Sequence, residues 1–263
     1  IKILKLNSLL KKKKIDAIFK TTEISTLKYL QDFGFSDEII TDFFTPFFSG
    51  IFLETQLETS SRMFEFVYKM FGDGLAVLPK NGIQAIPNQL KSNLKSTKFL
   101  FNSPVKEVQD KSILLENGEI LESHITIIAT DPSSLISNLK NQETKWKSCD
   151  TLYFETTNET ISKSLIGLIA DKNTLINNIF YHTSIKTSKK TLKELLSVTV
   201  VKEHQLNEKE LIKKVTEELS SKCAISDVTF LKRYQIKKAL PKLTNLQYEI
   251  SSTETKLKST IFL

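Results

Sequence analysis

The sequence contains few of the residues that cross-link a fold or hold a metal ion. Of its 263 residues, only two are cysteine, Cys149 and Cys223, and only three are histidine, at positions 124, 182 and 204. Two cysteines are too few for a disulfide framework, and no histidine has a cysteine or carboxylate at the spacing of a metal site. We therefore expect that the protein holds no metal and that the histidines have structural or surface roles. We also expect a reducing, cytoplasmic compartment.

Long apolar runs are also missing. No stretch approaches the roughly 18 consecutive apolar residues of a transmembrane helix, and the N-terminus lacks the order of charged, apolar and small residues of a signal peptide. No serine stands in a nucleophile-elbow context, so serine hydrolysis has no support. With 40% hydrophobic and 25% charged residues, the composition is typical of a soluble globular protein with one large core or two smaller ones.

The positive charge of the chain selects no partner. A formal net charge of +7 permits nucleic acid or an anionic membrane surface, but no zinc-finger, RNP-type or helix-turn-helix pattern supports binding to nucleic acid. The run from Lys11 to Lys14 adjoins apolar residues and indicates the solvated side of an amphipathic helix. Peripheral membrane contact stays open as the alternative, and no obligate protein partner is indicated.

The densest aromatic segment runs from Phe43 to Pro87 and mixes phenylalanines with glycines. Pro46 cannot donate a backbone hydrogen bond, so we expect a helix that begins near Ser36 to end here, with phenylalanines crowding a chain reversal. A second helix should begin among Thr59–Ser61. An aromatic-rich core explains this segment without any function, and a shaped cavity wall is the functional alternative.

The apolar pattern then changes from helical spacing to short strands. Asn117-Gly118 is a strong hairpin signal between two of them. The expected strands lie at 98–101, 105–109, 112–116, 119–121 and 124–129.

A largely antiparallel sheet is expected in the remainder of the chain. Its strands are predicted at 151–155, 165–169, 179–183, 196–201 and 227–234. A helix over 208–221 interrupts them, with Asn207 as its N-cap and Glu210 completing a capping box.

Three spaced segments resemble a known family. They are Phe44-x-Pro46-Phe47-Phe48-x-Gly50-Ile51-Phe52-Leu53, then Thr59-Ser60-Ser61-Arg62-Met63-Phe64, then Leu78-Pro79-x-x-Gly82-x-x-Ala85-Ile86-Pro87. In this order they resemble the central part of flavin-containing amine oxidoreductases, and within these the bacterial proteins similar to protoporphyrinogen oxidase and phytoene desaturase. The resemblance covers nearly the whole chain. The family's glycine fingerprint is absent, because Gly72-x-Gly74 is followed by Val77 where the third glycine would stand.

The resemblance implies FAD as the cofactor and a small set of contacts to it. The backbone of Val105 would lie against the adenine, and Ala129 and Thr130 would touch the same side at the end of a strand. It also implies a substrate cavity faced by Phe47, Phe48, Arg62 and Tyr234. Catalytic side chains are not identified, because in this class the flavin itself accepts the hydride.

The implied architecture is α+β, within a family whose full-length members are α/β. It joins a helical lobe and an antiparallel substrate-domain sheet to a small β-meander and one strand of a Rossmann-like FAD/NAD(P)-binding domain. The expected boundaries place the helical part of the substrate domain at 1–97 and the meander and FAD-domain strand at 98–138. The substrate-domain sheet and helix follow at 139–242, and a segment returning toward the FAD domain at 243–263.

Two functions are compatible with these observations. The favoured one is the central fragment of a FAD-dependent oxidoreductase that oxidises a C–N or C–C bond of an amine, porphyrinogen-like or isoprenoid-like substrate. The alternative is a non-catalytic module that binds a hydrophobic ligand or a protein. Because the glycine fingerprint is lacking, the chain alone is expected to hold FAD weakly and to be inactive, with 125–129 left without neighbouring parallel strands.

Overall fold

The computed structural model forms two compact units. One comprises Ile1–Leu75 and Lys145–Leu246, and the other comprises Ala76–Thr144 and Gln247–Leu263. Helices together with mainly antiparallel sheets confirm the predicted α+β class, whereas the assignment of segments to substrate and FAD domains stays a prediction. The described residues are 1–136, 145–161, 164–185, 193–242, 246–250, 256–257 and 260–262.

The N-terminal part of the first unit is helical and packs around phenylalanines. Phe44, Phe48 and Phe64 are fully buried at its centre, so this segment builds a core as the non-functional interpretation expects. No helix in the described part of the chain is long and apolar enough to cross a bilayer. The helices are α1 Lys2–Lys12, α2 Ile15–Phe19, α3 Thr26–Asp32, α4 Asp37–Ile39, α5 Thr45–Phe52 and α6 Ser61–Asp73.

The predicted end of the helix at Pro46 is wrong. A π-helical turn, Ile40–Phe44, joins α4 to α5, and the Thr45 N–H bonds to the Ile40 carbonyl. Pro46 stands in the first turn of α5, and the π-helical turn before it accommodates a residue that has no N–H to donate. The chain reverses only after α5, at Leu53, whose φ of 51° is left-handed, so the phenylalanines lie along a helix and not in a reversal.

The lysine run is only partly the solvated face that was predicted. Lys11 and Lys12 are exposed at the end of α1, but the Lys13 ammonium forms an ion pair with the buried Glu65 carboxylate of α6. Burial, followed by the neighbouring Glu65 carboxylate, raises the pKa of the Tyr29 hydroxyl. The ion pair of Lys13 thus ties the end of α1 to α6.

The second unit contains the predicted meander. Its first three strands form an antiparallel sheet in chain order, and Gly118, with φ +87°, closes the predicted Asn117-Gly118 hairpin. The predicted strand at 98–101 is wrong, because no described strand pairs with it; Phe99 and Phe101 stack on each other instead. The elements are α7 Ala85–Asn93, β1 Val105–Gln109, β2 Ser112–Leu115, β3 Ile120–Glu122 and β4 Thr126–Ile128.

An antiparallel sheet completes the first unit. Its strands are β5 Trp146–Thr156, β6 Ile166–Leu168, β7 Ile176–Tyr181, β8 Glu194–Val200 and β9 Val228–Pro241, in the order β6-β7-β8-β5-β9. The helix α8, Glu208–Cys223, confirms the predicted helix, and both hydrogen bonds of the Asn207–Glu210 capping box are present. Its residues Leu211, Val215 and Leu219 are buried in the same core as the inner face of the sheet.

The predicted isolation of 125–129 from parallel strands is wrong. Two further strands, β10 Lys256–Leu257 and β11 Thr260–Phe262, follow in the second unit. Strand β11 pairs in parallel with β4, with Thr260 opposite Thr126. Thr126 and Ile128 are buried, whereas Ile125 and Ile127 are about 60% exposed. Apolar residues on both faces are typical of a strand from a parallel sheet.

Candidate functional site

The first unit contains a cavity of about 840 Å³ between its helical part and one end of its sheet. This volume lies within the range of small-molecule sites, and most of the wall is apolar as such sites require. The apolar wall includes Ile51, Phe52, Met63, Val67, Trp146 and Leu240.

The local backbone explains why these residues converge. Lys147 pairs with Leu240 across β5 and β9, and this pairing shifts register before Cys149. In a regular strand successive side chains point to opposite faces, but an irregularity re-aims them, and Trp146, Lys147 and Ser148 all contribute to the wall. Elsewhere along α5, Gly50 lets the helix approach β7, because a Cβ at this position would lie only 3.0 Å from the side-chain nitrogen of Asn177.

A half-buried lysine supplies the polar centre of this cavity. The Lys147 ammonium donates hydrogen bonds to the Phe52 carbonyl and to Thr59 Oγ1, each at 2.9 Å. Burial lowers the pKa of Lys147 from its ordinary value. The Glu54 carboxylate accepts hydrogen bonds from the Thr59 N–H and hydroxyl, both at 3.1 Å, and from the Gln56 N–H at 2.8 Å. Such convergent polar groups in an apolar cavity can orient a ligand.

The four residues predicted to face a substrate cavity are not among those that line this one. Phe48 is fully buried in the helical core, and Phe47 stacks on Phe43. Arg62 donates to the Thr21 carbonyl at 2.9 and 2.6 Å and to the Leu246 carbonyl at 2.6 Å, which makes it a structural clamp. Tyr234 is 52% exposed on β9. Their roles in substrate binding stay predictions.

The residues predicted to contact a cofactor lie in the second unit. Val105 is half-buried at the start of β1, beside the small core formed by Val108, Ile128 and Ile136. Ala129 and Thr130 are exposed directly after β4. Ligands of open parallel sheets bind outside the carboxyl ends of the strands, so the position of these two residues fits the predicted contact, which stays a prediction.

Sequence reasoning did not identify a buried charged cluster on the sheet. The Asp150 carboxylate accepts a hydrogen bond from Arg233 Nε at 2.6 Å, and its other oxygen lies 3.1 Å from His204 Nε2. All three side chains are about nine-tenths buried. The charges compensate one another, so the cluster ties β5 to β9 and to the segment after β8.

No metal centre is formed by the histidines and acids of the described residues, since no group of three such side chains is placed to hold an ion. His124 is exposed. His182 is half-buried, with Nε2 at 2.9 Å from Ser197 Oγ and its ring edge-on to Phe180. Burial lowers the pKa of His182 below its ordinary 6.5.

Acid is expected to destabilise the protein through His182. The depressed pKa means that the unfolded state takes up a proton more readily than the folded state, so this contribution is complete above about pH 6.5 and is lost as the pH falls. Melting temperatures should be measured from pH 7.5 to 5.5, about one unit on either side of the ordinary histidine pKa of 6.5. Over this range the melting temperature should fall less in His182→Gln than in the wild type. The exposed His124→Gln is the control, and an equal fall in all three proteins would refute the role of His182.

Comparison with known proteins shows which family the chain matches. The family model for flavin containing amine oxidoreductases matches residues 7–234, and no match was found among curated protein sequences. An oxidoreductase from Methanosarcina mazei has a similar fold, with a TM-score of 0.73 and 14% identity over 100% of this chain and 66% of that one.

Two further solved structures share the fold at similarly low identity. A candidate protoporphyrinogen oxidase from Exiguobacterium sp. 255-15 gives a TM-score of 0.63 at 13% identity, over 92% of this chain and 61% of that one. A reduced UDP-galactopyranose mutase gives 0.62 at 13%, over 90% and 60%. The chain thus spans 60 to 66% of the length of these three structures. Since the family model covers most of its residues, the chain belongs to the flavin containing amine oxidoreductase family.

Proposed function

We propose that this chain supplies the substrate-binding part of a flavin-dependent oxidoreductase. The observation that carries the proposal is the cavity of about 840 Å³, with its apolar wall and the half-buried Lys147 at its polar centre. Family membership supports flavin chemistry. The cavity supplies what such chemistry requires of the protein, namely a site that positions the substrate and excludes water.

The cofactor proposed is FAD, and the described residues fit only part of it. Val105, Ala129 and Thr130 offer contacts on the adenine side. A dinucleotide also needs a glycine-rich turn that leads from a strand into a helix. Gly72 and Gly74 instead lie at the end of α6. FAD would supply the hydride acceptor, and we derive no step through it from these residues.

The proposed reaction is oxidation of a C–N or C–C bond in an amine, porphyrinogen-like or isoprenoid-like substrate. The fold shared with the oxidoreductase of Methanosarcina mazei and the candidate protoporphyrinogen oxidase is compatible with this range. In this proposal Met63, Val67 and Trp146 hold the apolar skeleton and exclude water, and Lys147 holds a polar group. The proposed partner is a small molecule, and neither nucleic acid nor an obligate protein partner is proposed. The proposed location is the cytoplasm, with peripheral contact to a membrane as the alternative.

Flavin content tests this proposal against a non-catalytic binding module. The full-length gene product should purify with a yellow, reducible chromophore in about one equivalent per protein, because a hydride acceptor is required for turnover. The chain of 263 residues, titrated with FAD, should show no stoichiometric fluorescence quenching at micromolar concentration. A colourless full-length product that binds apolar ligands would favour the binding module and contradict the proposal.

A further inference from the structure

The charged groups around the cavity are not equally available to a ligand. Glu54 already accepts three hydrogen bonds from the protein. Glu58 is 68% exposed, and its carboxylate lies 3.8 Å from the ammonium of Lys242, which is 53% exposed. Glu203 is exposed. The Lys202 ammonium donates to the backbone carbonyls of Lys172, at 2.8 Å, and Thr174.

Lys147 differs from these groups because no carboxylate of the described residues lies within hydrogen-bond distance of its ammonium. Its two partners, the Phe52 carbonyl and the Thr59 hydroxyl, are neutral oxygens. An ammonium group has three protons to donate, and the described residues supply hydrogen-bond acceptors for only two of those of Lys147. The carboxylates of Glu54 and Glu58 act on it only through longer-range attraction. A half-buried cation without an anionic partner at hydrogen-bond distance is only partly compensated, so a ligand anion that reaches it is stabilised.

We infer that the ligand of this cavity is an apolar molecule that carries a carboxylate, and that Lys147 is the residue that selects the carboxylate. This inference rests on the proposed function, because it concerns the substrate of the same cavity. The apolar wall formed by residues such as Phe52, Met63 and Leu240 accommodates the skeleton. A ligand with a protonated amine at the same place is repelled by the Lys147 ammonium.

Three ligands with the same alkyl chain test the inference: dodecanoate, dodecanol and dodecylammonium. Each is titrated below its solubility limit or micellar concentration into the 263-residue chain and followed by calorimetry. Dodecanoate should bind about tenfold or more tighter than dodecanol, as one charge-assisted hydrogen bond allows, and dodecylammonium should bind more weakly than dodecanol. Lys147→Met should abolish the preference for dodecanoate, and Lys147→Arg should retain it.

The matched control is Lys242→Met, which removes the same charge from an exposed lysine that also lines the cavity. It should keep the preference, and loss of preference in both methionine variants would show general attraction to a cationic protein and overturn the inference. Equal binding of dodecanoate and dodecanol overturns it too, but leaves the cavity as a ligand site. If none of the three ligands binds, the cavity is not a ligand site, and the proposed function is contradicted as well. If Lys147→Met does not fold, the wild-type ranking and Lys147→Arg decide.

Discussion

Replacing Phe48 with alanine is expected to lower the free energy of unfolding by about 3–5 kcal/mol, the range for removing a buried aromatic side chain. Phe48 is fully buried. Its ring centroid lies 4.8 Å from that of Phe64 and 5.2 Å from those of Phe47 and Phe52. Because rings surround it, the helical core can collapse only partly into the space left behind.

Urea unfolding followed by circular dichroism measures this effect. The control is Phe43→Ala, since Phe43 lies in the same aromatic segment but is 37% exposed, and we expect it to cost less than half as much. A loss of under about 1 kcal/mol for Phe48→Ala, well below the usual range, would contradict the central position of this ring. Phe52 lines the cavity, so the stable core next to it also supports the site.

Replacing Asp150 with asparagine is the second large effect, with an expected loss of about 3–5 kcal/mol. The change keeps the shape of the side chain but removes the negative charge that compensates Arg233, whose side chain is only 10% exposed. A buried cation without its partner is much more costly than the intact pair is favourable. The double variant Asp150→Asn with Arg233→Met should recover part of the loss, because the uncompensated charge is gone.

An exposed ion pair provides the comparison for Asp150. The Asp16 carboxylate lies 3.2 Å from the Lys20 ammonium on the surface of α2, and Asp16→Asn should change the stability little, because solvent screens an exposed ion pair. If Asp150→Asn and Asp16→Asn have the same effect in chemical unfolding, then the buried cluster is not a major tie between β5 and β9.

Local signals predicted the elements that are determined by their own residues. Asn207 and Glu210 fix the start of α8 through hydrogen bonds within four residues, and Asn117-Gly118 determines its hairpin through the positive φ of Gly118. Elements that depend on distant partners were predicted less well. Pro46 is accommodated by a π-helical turn that no local pattern indicates, and the strand expected at 98–101 lacks a described neighbour.

The site was harder to predict than the fold because tertiary packing assembles it. Phe47 and Phe48 were expected to face a substrate cavity, and this stays a prediction; in the structure they lie on the helix that continues through Pro46 and pack against other aromatic rings. Lys147 was missed, since a lysine at the start of a strand is usually solvated. Its burial depends on Phe52 and Thr59, which lie 95 and 88 residues away in sequence.

The central claim is that the cavity beside α5 and α6 holds the substrate of a flavin-dependent oxidoreductase. The two methionines of the chain provide a matched pair on α6, because Met63 lines the cavity and Met70 lies exposed outside it. The full-length protein, loaded with flavin, is mixed without oxygen with amine, porphyrinogen and isoprenoid substrates, and bleaching of the flavin absorbance is recorded.

The account predicts that Met63→Trp, which narrows the cavity, raises the half-saturating concentration of the active substrate at least about tenfold, because the bulkier ring displaces the substrate from its apolar contacts. Flavin content should not change, and Met70→Trp should behave as the wild type. Bleaching by Met63→Trp at the wild-type concentration dependence would contradict the account, because substrate would then reach the flavin without using this cavity.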